Sequence, residues 1–172
     1  MSGAEPQICP FVVVIDQREQ APWSFNGLAA SSKADETIVV RTVTAHLKTG
    51  DYSIQGLETQ IAIERKSKPD AYGTFGAGRQ RFEAELERLN AMKFAAVVIE
   101  DDWRGLLFRP PRETKMRPWS VVQSILAWEQ RYPNVHWHCL PTRELAQQVA
   151  FDILRRFWID HAKLQSMEAV RG

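Results

Sequence analysis

The chain has 172 residues, 44% hydrophobic and 25% charged, which fits one folded domain with its own core. No apolar run reaches membrane-spanning length, the N-terminus lacks a signal-peptide pattern, and Cys9 and Cys139 have no metal-ligand spacing and make no disulfide framework. These features argue against membrane, secreted and zinc-finger classes and for an intracellular protein with reduced thiols, cytoplasmic if its source is a prokaryote or a phage; a net charge of +1 leaves any attraction to nucleic acid to local patches.

Residues 1–10 read as a loose leader closed by Pro10. Phe11 to Ile15 is an unbroken apolar run of strand length, expected to be buried on both sides, and it ends in Asp16. Gln17 to Glu36 holds Pro22, Asn26-Gly27 and a polar run, so a loop is expected; Trp23 and Phe25 within it either pin the loop to the core or stack on DNA bases. Ile38 to Val43 is a second strand, rich in β-branched residues, and His46 to Asp51 turns into a third. His46 reads as a structural histidine, because nothing at metal-ligand spacing accompanies it.

Gln55-Gly56 opens a hairpin loop, after which Ile61-Ala62-Ile63 alternates as a half-buried strand running into Glu64, Arg65 and Lys66. Side chains at i and i+2 share a face, so Glu64 and Lys66 point together and Arg65 points away. Ser67 to Gly78, with Pro69, Gly73 and Gly76, is expected to be a mobile loop. A helix over Arg79 to Met92 would bury Phe82, Leu86 and Leu89 and carry Arg81, Glu85 and Arg88 on its other face.

Ala95 to Ile99 is a buried strand closed by Glu100-Asp101-Asp102. Trp103 to Arg117 holds Arg104, Arg109, Arg112, Lys115 and Arg117 against the single acid Glu113, and Pro110-Pro111 prevents one continuous helix. This stretch is either a phosphate-contacting loop or a solvated connection. Pro118 or Ser120 opens a helix to Arg131, with Ser120 and Gln123 spaced as a capping box, and Val135 to Cys139 is a short strand. Thr142 caps a final helix whose face of Ala146, Val149, Ala150, Ile153 and Phe157 is widened by Leu154 and Trp158. So wide an apolar surface needs a partner besides the sheet.

The chemistry centres on Gly50 to Asp70. Phosphodiester hydrolysis needs a water made nucleophilic near neutral pH and a counter-charge on the phosphate, and a divalent ion held by two carboxylates supplies both. Magnesium suits such a pair, being a hard ion that keeps water and phosphate oxygens in its other positions. Asp51 and Glu64 are the expected ligands, with Lys66 beside Glu64 to orient the water or stabilise the charged transition state.

Gly50-Asp51, then Glu64-Arg65-Lys66, then Asp70 after three residues, resembles the GD…ERKxxxD signature of XPF-type structure-specific endonucleases, and more broadly the D…ExK core shared with many restriction enzymes. Asp16-Gln17-Arg18-Glu19 resembles the D-x-R-E that follows the family's first strand, and Gly78-Arg79 falls where such proteins carry a Gly-Arg pair before a helix. The resemblance implies a restriction-endonuclease-like α/β fold: one mixed central sheet flanked by helices over residues 11–166, the site at one edge of the sheet, and a tail over 167–172. It implies a Mg2+- or Mn2+-dependent DNA endonuclease acting at branched, flap or fork structures in repair or recombination. Asp16 would join Asp51 and Glu64 as a metal ligand, with Glu19 lining the same acidic pocket and Arg18, Arg65 and Asp70 holding the network.

DNA contacts are expected from Arg79, Arg81, Arg104, Arg109, Arg112 and Lys115. XPF-type enzymes usually carry a tandem helix-hairpin-helix module after the nuclease domain, for which this chain has no room. Targeting is therefore expected from a homodimer formed through helices, a partner protein, or the loops over 67–78 and 103–117. A non-catalytic DNA-binding relative and a sequence-specific restriction-type nuclease are the alternative readings.

Overall fold

The computed structural model describes residues 6–30 and 36–171; the first half of the leader and the run 31–35 of the expected loop lie outside the described residues. Seven strands, β1 (Gln7–Asp16), β2 (Leu28–Ala29), β3 (Thr37–Ala45), β4 (Tyr52–Ile54), β5 (Ile61–Lys66), β6 (Phe94–Ile99) and β7 (Val135–Cys139), form one sheet in the order β2-β3-β1-β4-β5-β6-β7. The sheet is mixed: β1 runs parallel to β3, β4 antiparallel to both β1 and β5, and β5, β6 and β7 parallel to one another. The helices are α1 (Lys68–Phe75), α2 (Arg79–Asn90), α3 (Trp103–Phe108), α4 (Pro118–Arg131) and α5 (Arg143–Arg171). None of them is long and apolar enough to cross a membrane among the described residues.

Alternation along the strands divides the core in two. Phe11, Val13, Ile15, Ile61, Ile63, Ala96 and Val98 face α5 and the segment from Trp23 to Ala30, whereas Ala62, Ala95, Val97 and Ile99 face α1, α2, α3 and α4. Both faces of β5 and β6 are thus covered, which is why their apolar residues are buried in an unbroken run and not on one side only. Trp23 and Phe25 pin their loop to the core as one of the two expectations held: Trp23 stacks on Tyr52 at 4.7 Å between ring centroids, and Phe25 meets the same ring edge-on at 5.5 Å.

Several boundaries depart from the sequence reading. The first strand starts at Gln7, inside the expected leader, because the register shift between Ile8 and Val12 accommodates Pro10 at a bulge. Residues 67–78 are largely helical and not a loop: Ser67 Oγ accepts from the Asp70 amide at 3.3 Å, Pro69 sits in the first turn where no N–H is needed, and Ala71, Tyr72 and Phe75 are buried. The first six residues of the basic stretch likewise form a helix, with Asp102 accepting from the Gly105 amide at 2.7 Å. Pro118 opens α4, so Ser120 lies inside the helix and forms no capping box; Thr142 does accept from the Leu145 amide at 3.2 Å at the start of α5. His46 is exposed and not a buried structural residue.

In α5 the fully buried face is Ala146, Ala150, Phe151 and Leu154, while Val149, Ile153 and Phe157 are only half-buried. Phe151, stacked on Phe11 at 6.0 Å, is thus the main anchor of this helix. Replacing it with alanine is expected to cost about 3–5 kcal/mol in urea unfolding, the range for a large buried aromatic; a cost below about 1 kcal/mol would show that α5 is not seated on the sheet as described.

Candidate active site

The strand directions bring the candidate residues together. β1, β5 and β6 all end, and β4 begins, at the same end of the sheet, so Asp16, Asp51 and Glu64 to Lys66 meet there. This is the carboxyl end of the parallel strands, where open α/β folds collect their sites. β4 is the middle strand of seven, so the site lies centrally and not at the sheet's edge. A cleft of about 410 Å³ opens here, with Asp16, Asp51, Glu64 and Lys66 on its sheet side and Arg81, Phe82, Glu85 and Arg88 on its α2 side.

Gly50 fixes the position of Asp51. It has φ of +75°, and a Cβ there would lie 2.9 Å from the Ala62 Cβ and 3.2 Å from the Ile63 carbonyl, so only glycine lets the chain lie so close to β5. Asp51 N donates to the Ile63 carbonyl at 2.8 Å, and the Asp51 carbonyl accepts from Asp16 N at 2.8 Å, tying β1 to β5 through this one residue. Its Oδ2 accepts from the Arg65 amide at 2.7 Å. Glu64, only 8% exposed, pairs through Oε1 with Lys66 Nζ, which also lies 4.9 Å from the Phe82 ring centroid.

Two carboxyl groups therefore share the cleft, Glu64 buried and Asp51 half-buried. Burial first, and the charge of Glu64 second, push the Asp51 carboxyl from 3.8 up to about 8. Burial also raises Glu64, with Lys66 pulling the other way. A divalent cation fits this donor set, since two carboxylates that repel one another are held where a hard ion would neutralise both. Among the described residues no group of three or more His, Cys, Asp or Glu is placed to hold a metal, so the fit rests on the Asp51 and Glu64 pair.

Asp16 lines the cleft but is already engaged. Its Oδ1 accepts from Arg18 N at 2.8 Å and Arg18 Nε at 2.7 Å, and its Oδ2 from Leu47 N at 2.6 Å. Burial would raise its carboxyl, but these bonds prevail and hold it low. Asp16 thus anchors Arg18 and the 46–51 loop from within the cleft. Glu19, unlike Asp16, does not line the cleft: its Oε1 accepts from the Ala21 amide at 2.8 Å and lies 3.4 Å from Arg65 Nη1. Asp70 is exposed and bonded to Ser67 Oγ at 2.5 Å, so it serves the start of α1 and not the reacting centre.

Arg65 lies on the opposite face of β5, as alternation requires. It forks onto Glu100 with both contacts at 2.8 Å; Glu100 also accepts from Trp23 Nε1 at 2.8 Å and Arg143 Nη1 at 2.9 Å. Arg79 is used structurally, packed 4.6 Å from the Trp128 ring centroid and bonded to Ser124 Oγ at 2.8 Å. Arg81 is exposed on the cleft rim; Arg104, Arg109, Arg112 and Lys115 are exposed and outside the cleft.

The sequence reading missed Glu85, which it treated as one of a row of helix surface charges. Glu85 Oε1 accepts from Gly50 N at 3.0 Å and from the Thr49 hydroxyl, and its Oε2 pairs with Arg88, so α2 clamps the backbone just before Asp51. Its place two turns into a helix gives no sequence signal for this contact; only the pairing of α2 with the loop over 46–51 shows it.

Residues 15–151 match the ERCC4 domain. The chain belongs to the ERCC4 domain family. Its fold is similar to XPF from Aeropyrum pernix, with 19% identity and a TM-score of 0.59 over 84% of this chain and 60% of that one. A structure of XPF from Aeropyrum pernix in complex with DNA matches at 18% identity and a TM-score of 0.61, covering 87% of this chain and 66% of that one. The chain thus spans about 60–66% of the length of these structures. Among curated proteins, none matches the sequence. The mixed sheet flanked by helices has the fold of XPF, as expected.

The Asp51 carboxyl gives this ERCC4 domain a pH signature. Its folded value is raised, so the folded state holds a proton that the unfolded chain releases, and stability falls as pH rises from 3.8 to about 8. Asp16, Glu85 and Glu100 are held low and act with the opposite sign in acid, so comparison with Asp51→Asn isolates the effect. In chelator, the melting temperature of Asp51→Asn relative to the unsubstituted chain is expected to climb across that window; a constant difference would mean that Asp51 titrates normally.

Proposed function

We infer that this ERCC4 domain is a divalent-metal-dependent endodeoxyribonuclease that hydrolyses phosphodiester bonds at branched, flap or fork DNA in repair or recombination. The observation that carries the reading is the pairing of half-buried Asp51 with buried Glu64, with Lys66 bonded to Glu64, at the floor of an open cleft rimmed by arginines. The likeness to an XPF solved with DNA supports DNA as the partner.

A bound Mg2+ or Mn2+ would supply counter-charge to the scissile phosphate and lower the pKa of a water. Asp51 and Glu64 would hold that ion, Asp51 presenting the carboxylate oxygen that Arg65 N leaves free. Lys66 Nζ, held between Glu64 and the Phe82 ring, would orient the attacking water or stabilise the charge that builds on the phosphate. Arg18 and Arg81 would contact flanking phosphates; the Arg18 guanidinium is aimed by Nε donating to Asp16 Oδ1 and Nη2 donating to the Leu47 carbonyl. Asp16, Glu85 and Arg65 act one step back, fixing the loop and strand that carry the reacting groups.

The half-buried face of α5 supports pairing with a second copy of the domain or with a partner protein that supplies targeting. Val149, Ile153 and Phe157, with Phe94, line an open apolar groove of about 470 Å³ along it.

Labelled duplex, single strand, 3′ flap, fork and nicked junction, each with magnesium, manganese or chelator, test the reading together with Glu64→Gln. Metal-dependent cuts near the branch points are expected, reduced at least about 100-fold in Glu64→Gln, more than the loss typical of residues that merely support a metal ligand. Undiminished cleavage by Glu64→Gln would remove the assigned site. A ladder of defined fragments from plain duplex would replace branched DNA with sequence-specific cutting.

A further inference from the structure

A second groove adjoins the cleft. It runs between α1 and the segment 111–116 and has a volume of about 830 Å³. The two concavities share one wall, the turn between α1 and α2: Thr74 and Gly78 line the cleft, while Gly73, Gly76 and Ala77 line the groove. A polymer leaving the reacting centre over this turn enters the groove directly.

The groove is basic on its outer wall. Residues 109–117 hold four cations, Arg109, Arg112, Lys115 and Arg117, against Glu113 alone. Arg112 and Lys115 line the groove and form no ion pair among the described residues. The segment is bracketed by two aromatic side chains the core does not use, Phe108 at 76% exposure and Trp119 at 60%. Free cations along a groove supply what the backbone of a single strand needs, and exposed aromatic rings at the two ends of the segment that carries them are surfaces on which bases stack.

Gly73 supplies an independent sign of close approach. A glycine inside a helix is unfavourable, and here no packing demands it, since a Cβ at this position would meet no atom within 4 Å. It is exposed on the groove wall. A backbone left bare at such a point is where a ligand's own backbone comes near.

We propose that the groove between α1 and residues 111–116 binds the single-stranded arm of a branched DNA substrate as it leaves the cleft, with Arg112 and Lys115 on its phosphates and Gly73 giving it close access. A groove bounded by one helix and one loop takes a few unpaired nucleotides and not a duplex, so it discriminates forks and flaps from plain duplex. The proposal rests on the cleft being a DNA-cutting site.

The test uses the full chain in chelator, with fluorescent oligothymidine and a blunt duplex as probes, so that binding is read without cleavage. Arg112→Glu with Lys115→Glu is expected to weaken oligothymidine binding at least about tenfold and to flatten its salt dependence, with a smaller effect on duplex. Gly73→Ala is expected to weaken oligothymidine binding while the melting temperature holds or rises, a combination that misfolding would not produce. With metal, the ratio of fork to duplex cleavage is expected to fall in both variants.

Oligothymidine binding unchanged in both variants, while the unsubstituted chain still cuts forks, would overturn the groove and leave the nuclease intact. A change in oligomeric state in place of strand binding would overturn it in favour of a protein contact. Loss of strand binding in the variants of a chain that cuts no DNA would support the groove and remove the nuclease reading alone.

Discussion

The site depends on one backbone contact, the docking of Gly50-Asp51 against β5. Asp51 bridges β1 and β5 by its amide and carbonyl, and its side chain is held by the Arg65 amide. This contact places a half-buried carboxyl beside buried Glu64, an arrangement that costs free energy in the absence of a cation. Glu85 secures it from the other side, bonding Thr49 and Gly50. Stability is thereby exchanged for a preorganised pair of carboxylates, the kind of local conflict that folded proteins tolerate at functional sites.

The alternation of β5 separates chemistry from support. Glu64 and Lys66 face the cleft with α2, while Arg65 faces α5 and is only 8% exposed. On that face Glu100 collects Arg65, Trp23 and Arg143, and Arg143 also donates to the carbonyls of Ala21 and Pro22 at 2.7 and 2.9 Å. One acid thus joins β5, β6, α5 and the loop after β1. Charge-assisted and forked, with both partners partly buried, the pair of Arg65 and Glu100 contributes more than an exposed one. The motif's central arginine is a support for the strand that carries its neighbours.

Much of this was legible in the sequence because strand periodicity is local. The apolar runs at Phe11 to Ile15 and Ala95 to Ile99, and the split between Glu64-Lys66 and Arg65, follow from a period of two alone. The motif spacing likewise pointed to Asp16, Asp51 and Glu64, three of the acids that line the cleft. Asp70 shows the limit: its spacing fits the family signature, yet in this fold its side chain serves the Ser67 cap. The Ser67 to Asp70 spacing with Pro69 between was itself a helix-start signal, outweighed in the sequence reading by the glycines that follow. Glu85, and the partners of Glu100, were hidden for a different reason. The roles of both acids arise from contacts 35 residues away in the chain, Gly50 for one and Arg65 for the other, and such pairings are set by tertiary packing.

The pair of Asp51 and Glu64 as a cation site is most directly tested by calorimetric titration of Mn2+ near neutral pH, in buffers of different ionisation enthalpy. With Asp51 raised to about 8, binding must displace a proton, so the unsubstituted chain is expected to release close to one proton per ion. Glu64→Gln is expected to lose binding. Binding without proton release, or equal binding by Glu64→Gln, would contradict a site built on these two carboxylates.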